Sequence, residues 1–106
     1  MKNTIIQQGT IKSMYWSRND DKLTNYIEFE IDNKLYSFGG FDLDHDNKCF
    51  LWIDTLMRAL SLSAFEENAL KERHINVKFE VFEYHKDVIA VGKVENNIWL
   101  NQNDFI

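Results

Sequence analysis

Proline is absent from this 106-residue chain, and cysteine occurs once, at Cys49. With no proline, no turn or boundary is marked by one, and no X–Pro bond can isomerise slowly. A lone cysteine cannot close an internal disulfide, which points to a reducing compartment. Arginine is scarce as well: only Arg18, Arg58 and Arg73 occur, and the lysines form no block. The 12 basic residues stand against 17 acidic ones, for a net charge of −5. Proteins that grip a duplex displace its counterions with clustered Lys and Arg. This balance therefore speaks against DNA or RNA as the partner, and for a basic protein if the partner is charged. Long apolar runs are missing too, since stretches such as Phe50–Ile53 are far too short to cross a bilayer. The opening MKNTIIQQGT, with one lysine and two consecutive apolar residues, does not make a signal peptide. The expected location is the cytoplasm.

What is present suits a packed globule. A hydrophobic content of 44%, with 14% aromatic residues, excludes a disordered chain. A chain of this length forms one domain, residues 1–106, that buries roughly two-thirds of its unfolded surface without disulfides or metals. Its strongest pattern is Leu23–Phe41. Leu23, Asn25, Ile27, Phe29 and Ile31 alternate with Thr24, Tyr26, Glu28, Glu30 and Asp32, a period of two over ten residues that predicts a strand. Asp32-Asn33 supplies residue types that tolerate the left-handed backbone of a two-residue turn. The return strand, Lys34–Phe41, breaks at Gly39-Gly40.

Around this hairpin the remaining elements follow. Thr4–Trp16 predicts a first strand with apolar residues on both faces, and Ser17–Lys22 a charged loop. Phe50–Leu62 changes period: Phe50, Ile53, Met57 and Leu60, with Leu56 beside them, form a helical stripe expected to face the core, while Asp54 and Arg58 face outward. Ser63 and Glu66 have capping-box spacing, which predicts a second helix from Ala64 to about Arg73. From Ile75 the period returns to two, with a turn at His85-Lys86-Asp87, a strand over Val88–Val94, and a tail carrying Ile98, Trp99 and Leu100 that packs back as an edge segment. The order β-β-β-α-(α)-β-β predicts an α+β fold. The expected architecture is a small curled antiparallel β-sheet or a partly open OB-like barrel, with the helical segment between strands 3 and 4. Other α+β sheets with a covering helix share that order.

Three constellations are candidates for chemistry. Asp42, Asp44 and Asp46 alternate like the opening of an EF-hand loop, but Asn47 replaces its glycine and Ile53 its bidentate glutamate, so the run reads as a solvated acidic loop and no metal is expected. His45 and Cys49 sit four apart with His74 and His85 distant, too few ligands for zinc, and acidic neighbours disfavour a thiolate at Cys49. Trp16, Tyr26, Tyr36 and Phe38 could stack bases as OB folds do, yet Glu28 and Glu30 flank Tyr26 where phosphate-binding lysines belong. No nucleotide loop, Gly-x-Ser-x-Gly elbow or paired-carboxylate signature occurs, so neither a cofactor nor enzymatic activity is expected.

These observations lead to a small, acidic, cytoplasmic protein-binding module. Its concrete form would be a bacterial immunity or inhibitor protein that neutralises a basic, nuclease-type toxin. The expected contact residues are Tyr26, Glu28, Glu30, Asp32, Tyr36, Asp42, Asp44 and Asp46. The alternative is an OB-like nucleic-acid or ligand-binding module that uses the hairpin aromatics, and the third is an enzyme with an unrecognised site.

Overall fold

The chain folds around one long strand. In the computed structural model, which describes residues 3–106, β1 (Asn3–Asn19) runs for 17 residues. Met1 and Lys2, which open the stretch read for a leader, lie outside the described residues. β2 (Lys22–Ile31) and β3 (Lys34–Gly39) follow, then α1 (Lys48–Leu60) and the four-residue α2 (Glu67–Leu70). β4 (His74–Val81), β5 (Lys86–Lys93), β6 (Ile98–Asn101) and a 3-10 turn at Gln102–Asp104 complete the chain. The six strands form one antiparallel sheet in the order β3-β2-β1-β4-β5-β6. The fold is therefore α+β and sheet-dominated, with the helices between strands three and four. The sheet is not closed into a barrel: β3 and β6 are its two edges.

β1 serves two neighbours. Asn3–Thr10 pairs with β4, and Thr10–Asn19 pairs with β2. The two ladders meet at Thr10, and just beyond it, inside the β2 ladder, the register shifts at Lys12, a bulge that bends the strand. Both hairpins of the first half turn on two residues. Asp32 and Asn33 have φ of 51° and 66°, the left-handed pair expected from their side-chain chemistry. The β1–β2 turn is Asp20-Asp21, so Ser17–Lys22 is not a loop. Ser17, Arg18 and Asn19 continue the ladder opposite Thr24, Leu23 and Lys22. Polar residues extend such a ribbon because the cross-strand backbone bonds hold it and solvent accepts the side chains. Thr24 Oγ1 also donates to the Ser17 carbonyl at 3.1 Å.

The concave face of the sheet and α1 enclose the core. Ile11, Ile27, Phe29, Ile75, Val77, Phe79 and Val91 meet Trp52, Leu56 and Leu70, all fully buried. Trp52 is the hub, stacked on Phe38 at 5.7 Å and met edge-on by Phe105 at 5.2 Å. The helix is rotated from its expected phase. Trp52, Thr55, Leu56, Ala59 and Leu60 face inward, Ile53 and Met57 flank them, and Phe50 is 70% exposed. Turning Trp52 inward buries the larger payload: an aromatic of that size removes about 150–250 Å² from water, worth about 4–6 kcal/mol at about 25 cal/mol per Å².

α2 is shorter than its capping-box spacing predicts. Glu66 is extended at the helix start and no side chain caps the first turn. At the other end, Glu72 N–H donates to the Ile11 carbonyl (2.8 Å) and Ile11 N–H to the Arg73 carbonyl (2.9 Å). These two bonds draw residues 72–73 onto β1 beside its bulge, so the helix cannot continue to Arg73. The β4–β5 turn likewise comes early. It spans Phe82 to His85, closed by Phe82 N–H to the His85 carbonyl (2.8 Å) and by stacking of the two rings at 4.6 Å. β5 therefore starts at Lys86 rather than Val88. The tail pairs with β5 as its edge strand β6, and Phe105 seals the core behind it. No helix among the described residues is long and apolar enough to cross a membrane.

Candidate functional site

The convex face of β1, β2 and β3 carries the candidate surface, and strand registers lay it out as a grid. Thr10, Glu30 and Leu35 form one row; Ser13, Glu28 and Ser37 the next; Tyr15, Tyr26 and Gly39 the third. Rows repeat about every 6.8 Å along the strands and neighbours sit about 4.8 Å apart across them. The bulge at Lys12 puts Ser13, rather than its neighbour, opposite Glu28. The Ser13 hydroxyl donates to Glu28 Oε1.

Tyr15 and Tyr26 stack with centroids 5.0 Å apart and planes 16° from parallel. Tyr15 remains 45% exposed, so one ring face is open to solvent. The third row depends on glycine. Gly39 has φ 138°, and a Cβ there would strike the Asn25 carbonyl oxygen. Gly40 has φ 83° and lies under the phenol of Tyr26, where a Cβ would sit 2.8 Å from its oxygen. The Gly39-Gly40 break thus lets Tyr26 lie flat across the end of β3.

The charge on this face is uncompensated. Glu28 and Glu30 are half-buried, and neither has a cationic partner among the described residues. The nearest bulge lysine, Lys12, reaches instead to Glu72 at 3.3 Å.

Of the residues expected from the sequence, Tyr26, Glu28 and Glu30 share this face. Tyr36 does not. It pairs with Phe29 in the hairpin, points to the core side, stacks on Phe29 and meets Phe79 edge-on at 5.2 Å. The two-residue turn already implies this, because pairing Ile31 with Lys34 puts Tyr36 opposite Phe29. Phe38 is likewise buried, and Trp16 turns to the core-side parity against Phe65, so the expected four-membered aromatic platform reduces to Tyr26. Its true partner, Tyr15, was missed. Recognising Asp20-Asp21 as a two-residue turn would have paired the two tyrosines.

The acidic loop lies apart from Glu28 and Glu30. Leu43 N–H donates to the Leu23 carbonyl, and Asp44 accepts from the Leu23 N–H at 3.2 Å, which ties the loop to the start of β2. Glu28 lies five residues further on, about 17 Å away, and Asp32 sits in the turn at the far end, about 30 Å away. The loop's carboxylates have local work. Asp44 takes a two-pronged contact from Arg18 at 3.3 Å, and Asp42 accepts the Asp44 N–H at 3.0 Å and lies 3.8 Å from His45. Asp46 and Asn47 take left-handed φ of 58° and 59° and lead into α1. No group of three or more His, Cys, Asp or Glu side chains is placed to hold a metal ion among the described residues. Cys49 is half-buried against the core.

One buried polar node supports the platform from behind. Trp52 Nε1–H donates to Asn25 Oδ1 at 2.9 Å, and Asn25 Nδ2 donates to the Tyr15 carbonyl at 3.3 Å. The hub of the core is therefore linked through one side chain to the backbone that carries Tyr15. No known protein family, curated protein or solved structure matches this chain.

Proposed function

We propose that this chain is a small acidic protein-binding module that engages a basic partner through the convex face of β1–β2–β3. The observation that carries the reading is the pair of unpaired, half-buried carboxylates, Glu28 and Glu30, beside the solvent-facing Tyr15–Tyr26 stack. Carboxylates without an internal cationic partner keep their attraction for a binding partner's cations, which speeds association and selects against acidic competitors. Tyrosine adds rigid contact area and a ring face on which guanidinium groups stack. The concrete form is an intracellular bacterial immunity or inhibitor protein. It would occupy the basic surface that a nuclease-type toxin offers to nucleic acid.

In architectural terms the chain is an OB-like, partly open barrel. The long first strand shared by β2 and β4, and the helix between the third and fourth strands, support that assignment. β6 occupies the edge of β5 that a closing strand would take, which leaves the barrel open there. The second reading is an OB-like single-strand binder, favoured by the exposed tyrosine stack alone; the flanking acids oppose it.

The test is a titration at 0.15 M salt of wild type and the Glu28→Lys/Glu30→Lys variant. The ligands are the protein encoded by the adjacent gene and a labelled single-stranded oligonucleotide. Expected is protein binding that weakens at least tenfold on charge reversal and also weakens with salt, through slower association. Oligonucleotide binding that tightens on reversal, with no protein binding, would overturn the reading in favour of the second.

A further inference from the structure

The two edges of the sheet are unequal. β6 is four residues long, runs straight into a 3-10 turn and is backed by α1, so it offers little to pair with. β3 is bonded on one side only, to β2. From Leu35 to Gly39 it carries no charge and no proline, the usual devices that keep an edge strand from accepting another chain. The hairpin register gives the direction of its free groups. Ile31–Lys34, Phe29–Tyr36 and Ile27–Phe38 are the hydrogen-bonded pairs of a two-residue hairpin, and the bond from Gly40 N–H to the Asn25 carbonyl (3.0 Å) continues the alternation. The N–H and C=O groups of Leu35, Ser37 and Gly39 therefore point away from β2, and no strand meets them among the described residues.

We infer that the β3 edge is a strand acceptor for an extended, basic segment of the partner; this rests on the reading above and names how that partner docks. The chemistry of the occupant follows from the grid. On the convex face, the side chains nearest an added strand are the exposed Leu35, Ser37 and the bare Gly39, with Glu28 one strand behind Ser37 and Glu30 behind Leu35. A lysine or arginine on the added strand is long enough to cross Ser37 and reach Glu28, or to lay its apolar stem along Leu35 toward Glu30, and shorter side chains are not. The opposite face meets Tyr36 and Phe38, which suit small apolar residues. The occupant alternates basic and apolar. A second copy of this chain is the poorer occupant, because it brings the same acidic face and a further net charge of −5.

Docking requires a movement. β3 passes within 8 Å of β5 without pairing to it, whereas a strand between them needs two spacings of about 4.8 Å. β3 must tilt outward by a few ångströms. Resisting that are side chains rather than backbone bonds: Tyr36 against Phe79, with the Lys86 ammonium over both rings, and Phe38 stacked on Trp52, so the tilt pivots at the Phe38 end of the strand.

The probe is the synthetic heptapeptide Lys-Val-Lys-Val-Lys-Val-Lys, added to the whole protein and followed by amide hydrogen exchange in NMR spectra. Expected is at least tenfold slower exchange at Leu35, Ser37 and Gly39, with Tyr36 and Phe38 little changed because their amides already bond to β2. Ser37→Pro removes one outward donor and leaves the β2 ladder intact, so it should abolish the effect. The same peptide N-methylated at alternate residues should fail to bind, a control that leaves the protein's own stability untouched. Shifts confined to Tyr15, Tyr26, Glu28 and Glu30, insensitive to N-methylation, would overturn strand addition while leaving a basic face-to-face partner standing. Lateral protection that survives Glu28→Lys/Glu30→Lys would instead overturn the basic character of the occupant. Absence of binding, or a dimer that forms through β3 without peptide, would overturn the inference as stated.

Discussion

Replacing Asn25 by alanine should cost far more than its three lost side-chain atoms suggest. Asn25 is 1% exposed and is the acceptor for Trp52 Nε1–H, whose own residue is fully buried. In the variant that indole N–H has no partner and no route to water, a penalty of about 1–3 kcal/mol. The Tyr15 carbonyl also loses the Asn25 donor, and a cavity opens beneath Met14, whose sulfur the amide touches at 3.2 Å. Together these give a loss of about 3 kcal/mol, set against a total stability of about 5–15 kcal/mol for domains of this kind. With a urea slope of about 1.5 kcal/mol/M, the midpoint falls by about 2 M at unchanged slope. A double-mutant cycle with Trp52→Phe isolates the bond. The single variants each orphan one buried group and the double variant orphans neither, so it should be more stable than additivity predicts by about 1–2 kcal/mol. Circular dichroism follows the unfolding, since Trp52→Phe removes the buried fluorophore. A loss under about 1 kcal/mol for Asn25→Ala, or a cycle additive within about 0.5 kcal/mol, would refute the reasoning.

Two other substitutions test the helix. Phe50→Ser should change stability by less than about 0.5 kcal/mol while Leu56→Ala costs about 2–5 kcal/mol, and urea titrations giving the reverse ranking would restore Phe50 to the core. Ser61 closes α1 with φ 54° while Leu62 N–H bonds back to Met57, a geometry that suits glycine, so Ser61→Gly should gain about 1 kcal/mol and raise Tm by roughly 4–8 °C in calorimetry.

The parts legible in the sequence are those decided locally. The alternation from Leu23 to Ile31 and the Asp32-Asn33 turn depend on near neighbours, and both hold in the fold. The phase of α1 was not legible because Cys49 to Ile53 is apolar without a break, which leaves every face of the first turn eligible. What decided it was Trp52 finding Phe38 and Phe41 at the end of β3 and Phe105 near the end of the chain. The end of α2 was hidden for a similar reason, since its stop is a backbone contact with Ile11 about sixty positions away. At the candidate site, parity along β2 was enough to group Tyr26, Glu28 and Glu30. Tyr15 depended on an unrecognised turn. Asp42, Asp44 and Asp46 were drawn to Glu28 by their charge, although tethering at Leu23 holds them at the other end of the strand.

The division of β1 between two partners has a consequence for how the chain assembles. The sheet consists of two three-stranded meanders, β1–β2–β3 and β4–β5–β6, each built from neighbours in sequence and each able to form within microseconds. They are joined in the sheet through Asn3–Thr10 against His74–Val81. Bringing Thr10 to His74 closes a loop of about sixty residues, at an entropic cost of about 4 kcal/mol that must be met before the core rewards it. Because the chain contains no proline, no isomerisation phase can mask that event. The rate at which this protein refolds is therefore the rate at which its two halves find each other along one strand.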